Sequence, residues 1–407
     1  MRQRRSAPAR AEARDEVVTL ETADGAVDHA PRASWENLRG PSRTLAACVA
    51  ATRPKSLTAA VIPFAVGTSL ACADGPPRWP HAVPALASFV LMQIGCNLVN
   101  DACDFTRGAD GPNRTGPTRV SQAGVFRARN VHLCGAACLA LAAAAMAPAA
   151  LDLQYDGTPG GVFSGEVGET QWSVVVLTAS SVLAAYAYTG GPYPLGYHAL
   201  GECTVFVFFG VVAVALARRA HSGPPSRCHD SDASATLRAL RDLRHTLCDL
   251  DALVAGAQTG ALACALLAVN NLRDARSDAA AKKNTLAVRY GTAFAKREID
   301  ALMAVAFVLA WYWWLTRVGV GERGDDGVAT TNEPSSRTVA RRWSYASTAP
   351  CLAVPLALSV SRRARALEPG HKDCDATLAA AAALHFAFGG LLALGVALDA
   401  KTKAREA

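Results

Sequence analysis

Long apolar runs with few charged residues constrain this chain more than any other feature. Nine of them follow one another, at approximately 56–73, 81–100, 131–151, 172–189, 198–217, 247–270, 299–317, 344–361 and 377–398. Each approaches the ~20 residues that an α-helix needs to cross the hydrocarbon core of a bilayer. Because that core offers no hydrogen-bond partners to an exposed backbone, helices are the structure that such runs favour. The pattern predicts an all-α integral membrane protein with nine transmembrane helices.

The charged residues lie mainly between these runs and make up only 18% of the chain, with a formal net charge of +7. Because the basic residues are spread over several connecting segments, we interpret them as contacts with lipid headgroups and not as a nucleic-acid-binding domain. The twelve cysteines are scattered, without a CxxC pair or a Cys/His cluster. This pattern favours cysteines that pack as small apolar residues.

The ends and connectors of the chain differ in composition from the apolar runs. Residues 1–45 mix Arg, Asp and Glu with Ala and Pro, and they contain no apolar segment of the signal-peptide kind. We expect a disordered N-terminal tail there, followed by one membrane domain over 46–407. Two polar connectors, 218–246 and 318–343, contain Gly, Pro, Ser and Asp without strand periodicity. We expect both to be mobile insertions in the membrane domain.

The basic residues also indicate an orientation in the membrane. Four crossings separate the end of the second run from the end of the sixth, so the segments that follow these two runs lie on the same side. Both segments are rich in Arg and Lys, whereas the segment between the third and fourth runs has neither. The positive-inside rule therefore places both on the cytoplasmic (or equivalent) side. The basic connectors 218–246 and 318–343 would lie opposite, which conflicts with the simple rule.

A polar stretch, 97–110, follows directly on the second apolar run. Asn97, Asp101 and Asp104 are spaced i, i+4 and i+7, and they therefore share one face of a helix. Three polar groups aligned at the end of a membrane span are costly unless a cation lies among them. The spacing thus predicts a cation-binding face at this end of the helix.

A second stretch of the same kind ends the sixth run, where Asn271, Asp274 and Asp278 are spaced i, i+3 and i+7. Carboxylate and amide oxygens are the ligands that Mg²⁺ prefers, and substrate phosphates commonly complete its coordination. Arg and Lys beside both stretches are suited to hold the remaining phosphate oxygens. Solvated helix ends and an ion- or proton-transport site are the alternatives, but transport does not explain the neighbouring basic residues.

Both stretches resemble the two aspartate-rich motifs of the UbiA superfamily of membrane prenyltransferases, and most closely those of the MenA type, the 1,4-dihydroxy-2-naphthoate polyprenyltransferases. The resemblance covers roughly residues 52–398. Four further segments carry it: Arg53-Pro-Lys-Ser-Leu-Thr with Pro63 and Gly67-Thr68, then 108–124, then Tyr188-Thr-Gly-Gly-Pro-Tyr-Pro-Leu-Gly-Tyr197, and finally Lys283-Asn-Thr-Leu-Ala-Val-Arg-Tyr-Gly291. The long N-terminal tail and the two long connectors depart from the family pattern.

The resemblance implies a nine-helix UbiA-type bundle with a central cavity that opens to lipid. It also implies Mg²⁺-dependent transfer of a polyprenyl or phytyl group from its diphosphate to 1,4-dihydroxy-2-naphthoate, with decarboxylation, in menaquinone or phylloquinone synthesis. Another aromatic acceptor, such as a naphthoquinol, homogentisate or 4-hydroxybenzoate, is the alternative within the same fold. The membrane would be a bacterial inner membrane or a eukaryotic organelle membrane.

The same resemblance assigns roles to individual residues. The expected catalytic carboxylates are Asp101, Asp104, Asp274 and Asp278. The expected metal ligands are Asn97, Asp101, Asp104, Asp110, Asn271, Asp274 and Asp278. The expected diphosphate-binding residues are Arg119, Lys282, Lys283, Arg114, Arg273 and Arg53. Tyr188, Tyr193 and Tyr197 are expected beside the acceptor or the prenyl cation, with an interfacial aromatic belt as the alternative. Glu202, which is costly to bury in a membrane, is a further acceptor-site candidate.

Overall fold

The computed structural model describes residues 35–110, 114, 116–155, 163–222, 234–318, 344–371 and 373–406. This part of the chain is almost entirely helical. The helices are α1 Gly40–Ala51, α2 Thr58–Asp74, α3 Trp79–Thr106, α4 Ala128–Ala145, α5 Ala147–Ala150, α6 Trp172–Ala187, α7 Gly201–His221, α8 Ala235–Leu247, α9 Leu250–Ala280, α10 Leu286–Tyr290, α11 Thr292–Val318, α12 Tyr345–Thr348, α13 Val354–Ala366 and α14 Cys374–Glu406. Short 3₁₀ turns lie at Pro54–Leu57, Leu195–Tyr197 and Ala349–Ala353.

Six helical segments of the described chain are long and apolar enough to cross a membrane, and α6 is a shorter apolar helix. The protein is therefore an integral membrane protein, as the apolar runs predicted. Every predicted run overlaps a helix, although the eighth is divided among α12, a 3₁₀ turn and α13. Pro350 and Pro355 lie at these breaks, since proline removes a backbone donor and disfavours a continuous helix.

The structure differs from the sequence-based expectations at the tail and at the first connector. Helix α1 begins at Gly40, inside the stretch expected to be a disordered tail, and Trp35 before it is only 4% exposed. Within connector 218–246, α8 packs Leu243 and Leu247 against the hydrophobic core, because its sequence is strongly amphipathic. Residues 1–34 and 319–343 lie outside the described part of the chain. Most of the predicted tail and almost all of the predicted connector 318–343 therefore stay predictions.

A small antiparallel hairpin, β1 Leu153–Tyr155 with β2 Phe163–Val167, joins α5 to α6. Neither strand was predicted, because the segment lacks a run of alternating apolar residues.

Helix α9 is the centre of the bundle and contacts α2, α7, α11 and α14. Its packing against α7 is closest at a π-helical segment, Phe206–Val212, where Gly210 lies against Gly256 and Gly260. A Cβ atom built on Gly210 would lie 2.5 Å from the Gly256 carbonyl oxygen. Small residues let membrane helices approach this closely, and the contact fixes how α9 lies beside α7. The C-terminal end of α9, with its acidic stretch, is thereby placed next to the end of α3.

Candidate active site

The acidic ends of α3 and α9 meet around the side chain of Lys283. Its Nζ atom lies 3.1 Å from Asp104 Oδ2 and 3.8 Å from Asp278 Oδ1. Lys283 follows the end of α9, where Lys282 takes up a left-handed conformation (φ 57°) and the Lys283 N–H donates to the Asp278 carbonyl at 2.8 Å. This turn directs Lys283 into the cluster and leaves Lys282 exposed. The two predicted motifs therefore form one site.

A second cation, Arg114, also joins the two acidic stretches. It forms an ion pair with Asp110, and its guanidinium lies 3.9 Å from Asp274 Oδ2. Arg119 Nε lies 3.9 Å from Asp110 Oδ2 on the same side of the cluster. Asp110, Asp274 and Arg114 are all buried. Because buried charges are stable only when paired, these contacts fix the positions of the side chains.

Two of the predicted site residues hold neighbouring elements in place. Asp101 accepts hydrogen bonds from the backbone N–H groups of Val120 (3.3 Å) and Ser121 (3.2 Å), next to Arg119. Arg273 donates to its neighbour Asp274 at 2.7 Å and lies 3.1 Å from Asp375 at the start of α14. Asp101 thus holds the loop that carries Arg119, and Arg273 joins α9 to α14.

The amide side chains of the motifs bind polar groups beside the carboxylate cluster. Asn97 donates at 3.0 Å both to the Thr52 carbonyl and to Ser56 Oγ, which holds the segment between α1 and α2 against α3. Arg53 donates to Asn100 Oδ1 at 2.9 Å in the same region. Asn271 Nδ2 donates to Glu202 Oε1 at 2.7 Å, so this buried carboxylate has a partner.

The three predicted tyrosines have different environments. Tyr197 donates from Oη to Asp104 Oδ1 at 2.8 Å, and Lys283 Nζ lies 5.4 Å from its ring centroid. Tyr193 is 58% exposed and stacks on His198 at 3.7 Å, away from the carboxylates. Tyr188 lines an apolar cavity. Tyr197 and Tyr188 therefore border the site, whereas Tyr193 does not.

Burial and neighbouring charges set the protonation of two of these groups. Burial raises the pKa of Tyr197, and the Asp104 carboxylate raises it further, so the phenol stays a hydrogen-bond donor. Burial alone would lower the pKa of Lys283, but the Asp104 and Asp278 carboxylates hold it above its ordinary value. The site thus retains a positive charge between its two acidic helix ends.

An apolar cavity lies among α2, α3, α6 and α7. Its walls include the rings of Phe89, Phe208 and Tyr188 and the side chains of Gln93 and Cys96. Gln93 and Cys96 are on α3, on the membrane side of Asn97. The cavity therefore adjoins the acidic cluster along the α3 helix.

Some residues of the site were not predicted. Gln93 precedes Asn97 by four positions, so it continues the helix face of Asn97, Asp101 and Asp104, and this spacing was the signal for it. Arg107 donates to the Thr189 carbonyl and, at 2.7 Å, to the Gly191 carbonyl, holding the segment between α6 and α7. No local pattern marks Arg107, because its partners lie more than 80 residues away.

The carboxylates suit a divalent cation by their donor chemistry. Among the described residues, no three His, Cys, Asp or Glu side chains already form a metal-binding group. Asp110 Oδ2 is buried, however, and accepts no hydrogen bond from the described residues. A buried carboxylate oxygen without a hydrogen-bond donor is costly, and a metal ion would offset this cost further than the Arg119 guanidinium does from 3.9 Å. Hard oxygen donors of this kind fit Mg²⁺ bound together with phosphate oxygens.

Replacing Tyr197 by Phe removes the hydrogen bond to Asp104 while keeping the ring beside Lys283. We expect kcat to fall about 10- to 100-fold, because one hydrogen bond to a charged group is worth about 1.5–3 kcal/mol. Tyr193→Phe is the matched control and should leave kcat unchanged, since Tyr193 is exposed. Steady-state kinetics of both variants measure this difference. Equal effects of the two substitutions would contradict a role for the Tyr197–Asp104 hydrogen bond.

The UbiA prenyltransferase family model matches residues 60–321 of the chain. The 1,4-dihydroxy-2-naphthoate octaprenyltransferase of Mycobacterium tuberculosis is 36% identical over 261 residues, covering 64% of this chain and 75% of that protein. The Escherichia coli protein of the same name is 35% identical over 260 residues, covering 63% and 72%. The apo structure of a UbiA homolog from Aeropyrum pernix K1 has the same fold, with a TM-score of 0.53 at 16% identity, covering 84% of this chain and 97% of that one.

The family match extends from the start of α2 past the end of α11 and includes both acidic stretches. It confirms the resemblance that the two stretches and the four accompanying segments indicated. The chain therefore belongs to the UbiA prenyltransferase family.

Proposed function

We propose that this protein transfers a polyprenyl or phytyl group from its diphosphate to 1,4-dihydroxy-2-naphthoate, with loss of CO₂, in menaquinone or phylloquinone synthesis. One observation carries the proposal: Lys283 and Arg114 join the two buried acidic helix ends next to an apolar cavity. Such a site suits a ligand with a charged diphosphate head and an apolar tail. The names of the two bacterial relatives, at 36% and 35% identity, support the naphthoate acceptor.

The residues that would hold Mg²⁺ are the predicted carboxylates Asp101, Asp104, Asp110, Asp274 and Asp278, with Asn97 and Asn271. When bound there, the ion would supply positive charge that stabilises the departing diphosphate. The backbone N–H groups of Val120 and Ser121 donate hydrogen bonds to Asp101. Asp101 would therefore also position the loop that carries Arg119.

The basic residues of the site would bind the diphosphate oxygens. Lys283, Arg114 and Arg119 are the first candidates, because each already lies within 4 Å of a cluster carboxylate. Arg53 is next to the cluster through Asn100, whereas Arg273 is engaged by Asp274 and Asp375. Lys282 is exposed, so its proposed contact with a phosphate needs a rearrangement of the turn after α9.

In the proposed reaction the bond between prenyl C1 and the diphosphate oxygen breaks, and its electron pair leaves with the diphosphate. The electron-rich ring carbon that carries the carboxylate then forms a bond to C1. The carbon–carboxylate bond breaks next, CO₂ departs, and the electron pair restores the aromatic ring without a net proton release. Tyr188 and Tyr197 would face the allylic cation or the ring, where a π-face stabilises positive charge.

We further propose the nine-helix arrangement with a central cavity, and a cytoplasmic (or equivalent) side for the acidic cluster. The two acidic helix ends lie at the same end of the bundle, and each is followed by a basic segment. Both features agree with the side that the distribution of Arg and Lys favours.

The test is an assay of the purified full-length protein in detergent or vesicles. We expect prenylated naphthoquinol from dihydroxynaphthoate and a polyprenyl diphosphate, and no product when EDTA removes Mg²⁺. Homogentisate, 4-hydroxybenzoate and a naphthoquinol are supplied in parallel. Product with one of these and none with naphthoate would overturn the acceptor. The absence of metal-dependent product with every acceptor would overturn the prenyl transfer itself and leave ion transport as the function of the acidic cluster.

A further inference from the structure

Gln93 extends the polar face of α3 one turn deeper into the membrane than Asn97. It is only 7% exposed and lines the apolar cavity beside the acidic cluster. A buried amide in an apolar wall is costly unless both its N–H groups and its oxygen have partners. The hydrogen-bond partners of Gln93 therefore show which of its polar atoms is left to bind a ligand.

A hydrogen-bond network fixes the orientation of the Gln93 amide. Its Nε2 atom donates to Ser56 Oγ at 3.2 Å and to Asn97 Oδ1 at 3.3 Å. The Ser56 hydroxyl itself donates to the Arg53 carbonyl at 2.9 Å, so its oxygen is left as an acceptor. Turning the Gln93 amide over would place two oxygens against each other at Asn97. The amide nitrogen thus faces Ser56 and Asn97, and the amide oxygen points away from both.

The oxygen of the Gln93 amide differs from its nitrogen in having no hydrogen-bond partner among the residues that the structure describes. Gln93 Oε1 is buried and accepts no hydrogen bond from the described residues. Other polar side chains on the cavity wall differ, because the Ser181 and Thr204 hydroxyls donate to carbonyls of their own chain segments at 2.7 Å. Gln93 thus brings an unpaired acceptor oxygen to a cavity wall where Ser181 and Thr204 use their hydroxyls within the protein.

The depth of Gln93 suits the aromatic acceptor better than the diphosphate. It precedes Asp101 by eight residues, which is about 12 Å along the helix axis. A diphosphate held at the carboxylates would place prenyl C1 on the cavity side, and an aromatic ring attacking C1 would then lie at the end of the cavity nearest the carboxylates, beside Cys96 and Tyr188. Aromatic walls with a few placed polar groups are typical of a site that orients a planar ligand.

We infer that Gln93 Oε1 accepts a hydrogen bond from a ring hydroxyl of the aromatic acceptor and so sets which edge of the ring faces the prenyl donor. An ionised carboxylate only accepts hydrogen bonds, so the hydroxyl edge and not the carboxylate edge lies against Gln93. The inference rests on the proposed function, because it assumes a hydroxylated aromatic acceptor. Gln93 is thereby a specificity-determining residue of the acceptor site.

The test compares acceptor binding in wild type and Gln93→Leu, with Gln93→Met as a second variant in case one substitution prevents folding. Equilibrium dialysis of the detergent-solubilised protein measures Kd for 1,4-dihydroxy-2-naphthoate and for its two monomethyl ethers. In wild type we expect one ether to bind about 10-fold more weakly than the parent, since it lacks the hydrogen that Gln93 needs. In both variants the parent should bind about as weakly as that ether, and KM for the prenyl diphosphate should not change.

Ser181→Ala is the matched control, because this residue lines the same cavity but its hydroxyl is already bonded to the Leu177 carbonyl. It should bind the parent and the ethers as wild type does. A Gln93→Leu or Gln93→Met protein that still discriminates parent from ether by about 10-fold would overturn the inference. Equal binding of parent and both ethers by wild type would overturn it without any variant.

The result is separable from the proposed function. If wild type prenylates dihydroxynaphthoate but binds it and both monomethyl ethers with the same Kd, the proposed function stands and the role inferred for Gln93 is wrong. If wild type prenylates 4-hydroxybenzoate or homogentisate instead, the naphthoate proposal falls, and the same comparison with the methyl ether of that acceptor decides the role of Gln93.

Discussion

Asp104→Asn is expected to lower kcat for prenyl transfer by about 10³-fold in a protein that remains folded in the membrane. Asp104 is the carboxylate that both Lys283 and Tyr197 contact, at 3.1 and 2.8 Å. Asn preserves the shape of the side chain but removes the charge that a divalent cation requires. Removing one preorganised electrostatic group from an active site typically costs about 10²–10³-fold in kcat. Single-turnover and steady-state kinetics at saturating substrate measure the effect.

Asp373→Asn is the matched control for this prediction. Asp373 has an exposed side chain whose contact is with His371, outside the acidic cluster, so its substitution should leave kcat within about twofold. Asp373→Asn should match wild type in the yield of folded protein and in the thermal unfolding midpoint. Asp104→Asn should remain folded at the assay temperature but unfold at a lower temperature, because Lys283 then keeps only Asp278 as a counter-charge. Turnover of Asp104→Asn near the wild-type rate would show that Asp104 is not required for the chemistry.

Gly210→Ala should strongly destabilise the protein, because it adds a methyl group where the backbones of α7 and α9 are in contact. The new Cβ would lie 2.5 Å from the Gly256 carbonyl oxygen and 2.6 Å from Gly260 Cα. Both contacts are with backbone, so no side chain rotation relieves them, and the two helices must separate. We expect a loss of about 3 kcal/mol of unfolding free energy, at the upper end for overpacked cores. The thermal unfolding midpoint in detergent measures the change.

Gly390→Ala is the control within a long membrane helix, because a Cβ atom there meets no atom within 4 Å. It should be neutral or stabilising by up to about 1 kcal/mol, since alanine favours a helix over glycine. Activity should follow stability in Gly210→Ala, because the contact positions the C-terminal end of α9 at the site. An unfolding midpoint equal to that of Gly390→Ala would mean that α7 and α9 are not packed this closely.

Local patterns predicted the helical fold and the two acidic faces. The i, i+4, i+7 spacing of Asn97, Asp101 and Asp104 places them on one face in any helix, whatever its neighbours. The i, i+3, i+7 spacing likewise places Asn271, Asp274 and Asp278 on one face of their helix. Helix α8 was missed, although its leucines recur at helical spacing, because the connector that contains it was judged by its polar composition.

The sequence by itself determined that this is a helical membrane protein with two acidic helix ends, since apolar length and helical spacing are properties of contiguous residues. Only the tertiary structure decided which side chains share the site. It brought Lys283 to Asp104 and Tyr197 to the same carboxylate and left Tyr193 exposed on His198. It also buried a Gln93 oxygen that accepts no hydrogen bond within the described part of the chain. The contacts at Asp104 join residues 93 and 179 positions apart, and no local pattern encodes them, because they depend on how close-packed helices fit together.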